Sequence, residues 1–309
     1  MAFSAADVKN LREMTGVGMM DCKKALAASD GDMDKAVEWL REKGLAAAQK
    51  KAGRIAAEGM AYAWVCEQCG VGVCIEVNAE SDFVAKNELF VNYVKDVAKI
   101  VAAENPADVD ALMALPYLDS GKTVQEMQNE KVLVIGENIH VRRFQRFEGG
   151  VSVPYVHMGG KIGVIVKLDV SDNIKGDAKV TEVGKDVAMQ IAALNPRFWD
   201  KSLVTQAVLD EEKKVLVAQM DNDPKMAAKP QEVKEKIAAG KMNKFYAENC
   251  LLQQEFVKDN SVTVEQYIAA AAKALGGTIQ FVDAVRFEKG EGIEKRQDDL
   301  AAEVAKMIK

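Results

Sequence analysis

The feature that most constrains the fold of this chain is an internal repeat. Lys95-Asp96-Val97-Ala98 and Asn105-Pro106 recur as Lys185-Asp186-Val187-Ala188 and Asn195-Pro196, 90 residues further along. A strand-like segment at 71–75 (Val-Gly-Val-Cys-Ile) has a counterpart at 162–166 (Ile-Gly-Val-Ile-Val). Each copy places an apolar strand before a long amphipathic helix. We therefore predict two homologous α+β subdomains with antiparallel sheets.

The second copy contains an insertion. Its closing strand, Arg286-Phe287-Glu288, matches Arg146-Phe147-Glu148 at an offset of 140 rather than 90 residues. About 50 extra residues must therefore project from the second subdomain, and we place them at 200–249. Two apolar stripes, separated by a break at 223–230, predict an antiparallel helical hairpin in which each stripe is buried against the other. The stripes are Leu203, Ala207, Val208, Val215, Met220 and Val233, Ile237, Met242, Phe245, Tyr246.

The two ends of the chain have a helical pattern. The first 54 residues indicate a head of three short helices, the third running from about Asp32 to Lys43 and ending at Gly44. The segment at 46–57 is predicted to be a solvated helical linker, and a last helix is predicted from about 295 to 308. The predicted boundaries are 1–54 for the head and linker, 55–149 for the first subdomain, 150–199 with 250–288 for the second, 200–249 for the hairpin and 289–309 for the C-terminal module.

Charge and composition disfavour several classes of protein. The 41 Lys and Arg residues are outnumbered by 47 Asp and Glu, which disfavours direct binding of nucleic acid. With only two histidines, His140 and His157, a His-based metal site or catalytic apparatus is not expected. The N-terminal residues do not resemble a secretory signal and no apolar run is long enough to span a membrane, so we expect a cytoplasmic protein.

Two motifs suggest ligand sites on first inspection. Ser120-Gly121-Lys122-Thr123 resembles the end of a phosphate-binding P-loop, but Pro116 stands where the first glycine is required. The interpretation we prefer is a helix start, with Thr123 and Glu126 forming a capping box. Cys66 and Cys69, with Cys74 nearby, suggest zinc, but a second pair of ligands is missing. Two thiols beside a hairpin turn are the favoured interpretation.

The loop between the first apolar strand and its helix allows two interpretations. Its sequence is Asn78-Ala79-Glu80-Ser81-Asp82-Phe83-Val84-Ala85-Lys86-Asn87. The local pattern by itself favours a helix cap at Ser81 or Asp82, with Phe83 packed in the core. Alternatively, the loop presents Phe83 to a pocket on another protein, with Asp82 bonding beside it. The sequence contains no recognised catalytic, cofactor or metal motif, so we do not expect an enzyme.

Several segments resemble the bacterial-type elongation factor Ts family. The segment Leu11-Arg12-Glu13-Met14-Thr15-Gly16-Val17-Gly18-Met19-Met20-Asp21-Cys22-Lys23-Lys24-Ala25-Leu26 is similar to its N-terminal signature. Ser81-Asp82-Phe83-Val84-Ala85 resembles its Thr-Asp-Phe-Val-Ala motif, with serine replacing threonine. The segment 131–139, with Ile135-Gly136-Glu137-Asn138-Ile139, and the segment 286–295 also match, so the resemblance covers nearly the whole chain.

The resemblance implies a guanine-nucleotide exchange factor that binds the GTPase elongation factor Tu. By the same resemblance, the head would dock on the GTP-binding domain of the partner, Asp82 and Phe83 would enter near its Mg²⁺ site, and the C-terminal helix would return to the nucleotide domain. No cofactor is implied. The partner-binding residues implied by the resemblance are Met19, Met20, Lys23, Asp82, Phe83, Ile135, Gly136, His157 and Val257.

Three points stay open at the level of sequence. Glu255 stands where the family commonly has proline, which puts the contact expected of Phe256 and Val257 in doubt. The three-helix head also resembles ubiquitin-associated peptide binders, so an adaptor without exchange activity is the main alternative, and a P-loop enzyme is a second. The helical hairpin could mediate a homodimer.

Overall fold

The computed structural model describes residues 3–294, which form helices and three sheets and confirm the predicted α+β class. The predicted C-terminal helix lies outside the described residues. The helices are α1 (Ala5–Thr15), α2 (Met19–Ala28), α3 (Met33–Lys51), α4 (Asp82–Ala85), α5 (Glu88–Glu104), α6 (Val109–Ala114), α7 (Val124–Ile135), α8 (Ala178–Leu194), α9 (Gln206–Asn222), α10 (Gln231–Gly240), α11 (Met242–Asn249) and α12 (Val264–Leu275). The strands are β1 (Glu58–Val65), β2 (Gly72–Ala79), β3 (His140–Phe147), β4 (Val151–His157), β5 (Ile162–Val170), β6 (Glu255–Phe256), β7 (Asp259–Thr263) and β8 (Ile279–Glu288).

The chain divides into two compact units. The described part of the first unit comprises residues 3–147, 156–163 and 287–294. The second unit comprises residues 148–155 and 164–286. The first unit therefore contains the helical head, the sheet β1-β2-β3 and a short segment that follows β8. The inserted helices α9, α10 and α11 belong to the second.

The head is a three-helix unit with its own core. A capping box between Ser4 and Asp7 begins α1, and the side chain of Asp32 caps α3 by accepting from the amide of Lys35. Leu11 and Leu26 are fully buried where the three helices meet. Because both side chains are removed from water, each contributes about 1.5–3 kcal/mol to holding the head together.

The third helix is longer than predicted. It continues through Gly44 to Lys51, so the prediction that it ends at Gly44 and gives way to a separate linker helix is wrong. Gly44 is buried, and a Cβ added there would lie 3.4 Å from the backbone oxygen of Asn129 in α7. Helices α3 and α7 are in contact at this point, and that tertiary contact outweighs the weak helix propensity of glycine.

The first sheet is antiparallel with the order β1-β2-β3. Its central strand, β2, is buried along its whole length. Helix α5 covers one face, where Phe90, Val94 and Val97 are fully buried. The predicted hairpin, long helix and closing strand of the first subdomain are therefore present in the predicted order.

The repeat in the sequence corresponds to a repeat in the structure. Helices α5 and α8 both have 17 residues, and their side-chain caps, Asn87 and Asp177, lie 90 residues apart. Both helices end at an asparagine in the left-handed conformation, Asn105 at φ 49° and Asn195 at φ 45°. Strand β5 is the counterpart of β2 and is central in a second sheet with the order β4-β5-β8.

A part-buried tyrosine–carboxylate pair also occurs in both copies. The hydroxyl of Tyr117 donates to Asp96 at 3.0 Å, and that of Tyr267 donates to Asp186 at 2.7 Å. The two aspartates occupy equivalent positions of α5 and α8. Burial, and then the adjacent carboxylate, raises the pKa of both tyrosines, so each remains a hydrogen-bond donor.

The inserted segment is an antiparallel arrangement of helices, as predicted, but its packing differs. Its second arm is interrupted at Lys241, which separates α10 from α11. Leu203, Val215 and Val233 were expected to be buried, yet they are 55%, 45% and 39% exposed. The stripe prediction is wrong for these residues and for Ala207, which is also exposed. The hairpin is held by polar as well as apolar contacts. One such contact is the buried Lys234, which pairs with Asp221 of α9.

Candidate functional site

The ring of Phe83 is displayed to solvent. It lies in the four-residue helix α4, and 79% of its surface is exposed. The next residue, Val84, is buried and anchors the helix to the core of the first unit. Adjacent residues of a helix point about 100° apart, so burying Val84 turns Phe83 outward. The interpretation that packs Phe83 in the core is therefore wrong.

Asp82 is exposed beside this ring. Its carboxylate lies 3.4 Å from the ammonium group of Lys86, four residues along the chain. An exposed pair of this kind contributes little to stability, so a partner group can replace the lysine at low cost. Asn87 then caps α5 by accepting from the amide of Leu89 at 2.8 Å. The loop thus ends at a firmly fixed helix start.

Ser81 has a different role from the predicted one. Ser81 is the N-cap residue of α4, one of the two predicted positions, but its hydroxyl makes no capping bond to the helix. Instead, the hydroxyl donates to one carboxylate oxygen of Glu137 at 2.6 Å, and the Ser81 amide donates to the other at 2.9 Å. A carboxylate that accepts two bonds fixes both position and direction. Glu137 therefore holds the backbone of the loop that begins α4.

A second carboxylate holds the same two segments from the other side. One oxygen of Glu80 accepts from the amide of Asn138 at 2.6 Å and from Arg54 at 3.4 Å. Asn138 in turn donates to the backbone oxygen of Arg54 at 2.9 Å. Together with the Ser81–Glu137 bonds, these contacts join residues 80 and 81 to residues 137 and 138. We call this arrangement the double carboxylate clamp.

The double carboxylate clamp brings two groups of predicted site residues together. Ile135 is the last residue of α7 and is half-buried, and Gly136 ends the helix in the left-handed conformation at φ 91°. The chain turns at Gly136 and presents Glu137 to Ser81. Sequence reasoning did not assign roles to Glu80 and Glu137. The signal in the sequence was that a carboxylate stands next to each motif: Glu80 precedes the motif around Asp82 and Phe83, and Glu137 follows Ile135-Gly136.

The head contributes a separate exposed surface. Met19 and Met20 begin α2 and are 54% and 63% exposed, and Lys23 is exposed one turn later. The opposite side of α2 packs into the core of the head. Exposed methionines adapt to different partner surfaces because the side chain is flexible and polarisable. These residues belong to the same compact unit as Phe83.

His157 and Val257 lie in different units. His157 is the half-buried last residue of β4 in the first unit, and its carbonyl accepts from the amides of Gly160 and Lys161. Val257 lies in the second unit, where it is 48% exposed and its amide donates to Gln190 at 2.8 Å.

Phe256 is not available for contact with a partner. It is buried, and its ring stacks on that of Tyr267 with the centroids 4.2 Å apart. Of the two residues whose contact was in doubt, only Val257 is exposed. Val257 borders a surface groove of about 590 Å³ that is also lined by Leu194 and Asn260.

Comparison with known proteins identifies the family. The family profile described as Elongation factor TS matches residues 80–291. A protein of Trichlorobacter lovleyi named Elongation factor Ts is 49% identical, with 99% of this chain and 98% of that relative aligned. Proteins of the same name from Clostridium kluyveri and Clostridium botulinum are each 46% identical over the same shares. The chain belongs to the elongation factor Ts family. This is a family of translation elongation factors.

The family match includes the four residues that join the two segments in the double carboxylate clamp, Glu80, Ser81, Glu137 and Asn138, whereas Arg54 precedes the matched residues. The head lies outside the profile but inside the alignments with the elongation factor Ts relatives, which cover 99% of the chain. The exposed surfaces of α2 and α4 therefore both lie in sequence shared with named members of the family.

The P-loop alternative is not supported by the structure. Thr123 and Glu126 form the predicted capping box at the start of α7. The bond from the Thr123 amide is the main reason why the pKa of Glu126 lies below its usual value. Lys122, which would have to reach a phosphate, is paired with Glu130. The loop therefore begins a helix and offers no free cation to a nucleotide.

Residues 3–294 contain no group of three or more His, Cys, Asp or Glu side chains placed to hold a metal ion. Within the same residues, none of the helices combines the length and the apolar character that crossing a bilayer requires.

Proposed function

We propose that this chain binds the GTPase elongation factor Tu and promotes the release of GDP from it, acting by protein–protein binding and not by catalysing a chemical reaction. The observation that carries the proposal is the exposed ring of Phe83 on a loop fixed by the double carboxylate clamp. The ring gains no burial free energy in the isolated chain, whereas a pocket on a partner would remove it from water.

The clamp makes the ring an effective binding group. Burying a phenylalanine side chain contributes about 1.5–3 kcal/mol. A flexible loop would lose part of that gain when it becomes ordered in the complex. Here Ser81 and Glu80 are already fixed by bonds of 2.6–2.9 Å to residues 137 and 138, so little ordering remains to be done on binding.

Nucleotide exchange then follows because GDP and this chain both bind elongation factor Tu and each affects the affinity of the other. If Phe83 enters between side chains that support the bound Mg²⁺ and phosphates, GDP binds more weakly in the complex. The coupling is reciprocal, so GDP weakens the binding of this chain by the same factor. Each ~1.4 kcal/mol of coupling changes affinity tenfold. The burial of one phenyl ring therefore supports a 10- to 100-fold effect, roughly.

The other predicted site residues would add binding affinity and would not displace GDP. Met19, Met20 and Lys23 would dock the head on the GTPase domain, while Ile135 and Gly136 would contact the partner beside Phe83. His157 and Val257 would contact other parts of elongation factor Tu. An interface divided in this way keeps the complex together while GDP leaves, because its remaining contacts do not depend on the nucleotide.

The test is a stopped-flow measurement of fluorescent GDP leaving elongation factor Tu, with and without this chain. Phe83→Ala should slow the stimulated release by roughly 10- to 100-fold. Because the ring is exposed, the change should leave the folded state within about 0.5 kcal/mol of the parent chain. Val215→Ala, which also truncates an exposed apolar side chain, is the matched control and should not alter release.

The outcomes test two hypotheses separately: that Phe83 displaces GDP, and that this chain promotes GDP release at all. If Phe83→Ala stimulates release as well as the parent chain, the ring does not displace GDP. If the parent chain binds elongation factor Tu without accelerating release, it is an adaptor and the exchange proposal is wrong. A third variant, Ser81→Ala, removes one bond to Glu137 and should reduce the stimulated release less than Phe83→Ala does.

A further inference from the structure

Two cysteines lie together at the tip of the β1–β2 hairpin. The amide of Cys66 donates to the carbonyl of Val71 at 2.9 Å, and the amide of Gly70 donates to the carbonyl of Cys66 at 2.8 Å. These bonds close a tight turn over residues 66–70. Within it, the amide of Cys69 donates to the sulfur of Cys66 at 3.3 Å. The turn therefore folds Cys69 back onto Cys66.

These are the two accessible thiols of the chain. Cys66 is half-buried and Cys69 is exposed, whereas Cys22, Cys74 and Cys250 are fully buried. All five cysteines are free thiols in the described structure. A reagent dissolved in water can therefore reach the hairpin pair while the other three remain protected.

The surroundings activate Cys66. The thiol of Cys69, and then its backbone amide, lower the pKa of Cys66 below the usual value for a thiol. The thiolate is the form that attacks a disulfide, and a nearby second thiol can resolve the mixed disulfide that results. Cα atoms three residues apart in a tight turn lie within about 7 Å, which overlaps the ~4.4–6.8 Å range of disulfides.

A metal site explains the pair less well. A tetrahedral zinc site needs four ligands from nitrogen, sulfur or oxygen atoms. In the part of the chain that the structure describes, no group of three or more candidate ligands is found here or elsewhere. Thiol chemistry requires only the two sulfurs that the turn provides.

We propose that Cys66 and Cys69 form a reversible dithiol–disulfide site that reacts with low-molecular-weight disulfides such as oxidised glutathione. The Cys66 thiolate attacks one sulfur of the oxidant, forming a mixed disulfide and releasing one reduced thiol. The Cys69 thiolate then attacks the Cys66 sulfur, forming the internal disulfide and releasing the second reduced thiol. The protein loses two protons and two electrons, and the oxidant takes them up as one disulfide molecule becomes two thiols.

The test labels thiols in the native full-length chain with a maleimide and reads intact mass and peptide mass. The reduced chain should take two labels, both within residues 66–69. After oxidised glutathione it should take none, weigh two hydrogens less and carry no glutathione. Dithiothreitol should restore both labels. Retention of both labels after oxidation, or a stable glutathione adduct on the parent chain, would overturn the proposal.

Single variants test the order of the two steps. Cys69→Ser keeps the attacking thiol but lacks the resolving one, so it should stop at one glutathione adduct. Cys66→Ser should form its adduct several-fold more slowly than Cys69→Ser does, because Cys69→Ser keeps the bond from the backbone amide of residue 69 that stabilises the Cys66 thiolate. Cys22→Ser, at a buried position of the head, is the control and should react as the parent chain does. Equal rates for the two hairpin variants would show that Cys66 is not the attacking group.

Discussion

Replacing Glu76 with glutamine should destabilise the first unit, because this carboxylate is fully buried in the central strand β2. It joins segments that are distant in sequence. Its oxygens accept hydrogen bonds from Asn78 at 3.1 Å, Arg142 at 3.0 Å, Arg143 at 2.6 Å and the backbone amide of Gly290 at 2.7 Å. The strand β3 and the segment after β8 are therefore both tied to β2 by one side chain.

The expected loss follows from this geometry. Removing one partner of a buried ion pair costs about 3–5 kcal/mol because the other charge stays behind unpaired. The side chains of Arg142 and Arg143 are 26% and 32% exposed, so water can partly solvate them. The glutamine side chain keeps one oxygen that can accept a hydrogen bond, but its NH₂ group replaces the other oxygen and faces an arginine, which is also a donor. We therefore expect Glu76→Gln to lower the free energy of unfolding by about 3 kcal/mol, the low end of that range.

The assay is urea unfolding followed by circular dichroism, with hydrogen exchange to locate the effect. Faster exchange should appear in β2, β3 and residues 287–294, since the Gly290 amide loses its acceptor. Glu291→Gln is the matched control, because the carboxylate of Glu291 pairs with Arg143 at 3.0 Å but is 44% exposed. It should cost less than about 1 kcal/mol. If Glu76→Gln costs no more than this control, the buried network does not stabilise the unit.

Two further predictions concern packing and pH. A Cβ at Gly184 would lie 2.4 Å from a methyl of Val153, so Gly184→Ala should lower the free energy of unfolding by about 1–3 kcal/mol in urea titrations. The control is Gly176→Ala, whose Cβ would meet nothing within 4 Å and which should leave the free energy of unfolding unchanged. Equal effects of the two substitutions would contradict this account. Burial, and then Arg142, lowers the pKa of His140 in the folded state. As pH falls below about 6.5, His140 therefore takes up a proton in the unfolded chain before it does so in the folded chain, which favours unfolding. Between pH 7.5 and 5.5 the free energy of unfolding should fall less in His140→Gln than in the parent chain. An equal fall in both would show that His140 is not the cause.

The repeat predicted most of the secondary structure because its signals are local. The side-chain caps at Asn87 and Asp177 and the terminal asparagines at 105 and 195 set the ends of α5 and α8 from their own residues. The same holds for the capping box at Thr123. Local patterns failed where tertiary contacts decide. Gly44 reads as a helix end, but α3 continues through it because α7 packs against that point.

The candidate site was predicted in part. The motif around Asp82 and Phe83 was found from the sequence, but the local pattern favoured placing the ring in the core. The Phe83 ring is exposed because its neighbour Val84 is the residue that packs into the core, and the local sequence pattern does not predict which of the two is buried. The roles of Glu80 and Glu137 were missed because each carboxylate bonds to a segment more than 50 residues away in the chain.

The order of elements, the duplication, the inserted helices and the motifs that carry the family resemblance can all be derived from the amino-acid sequence. They depend on periodicity, caps and spacing, which are properties of neighbouring residues. Which charged side chains stabilise the fold depends instead on contacts between distant segments. Glu76 looks like an interruption in an apolar strand until Arg142, Arg143 and the amide of Gly290 are brought to it from distant segments. A buried charge is tolerated only with such partners, and folding alone brings them together.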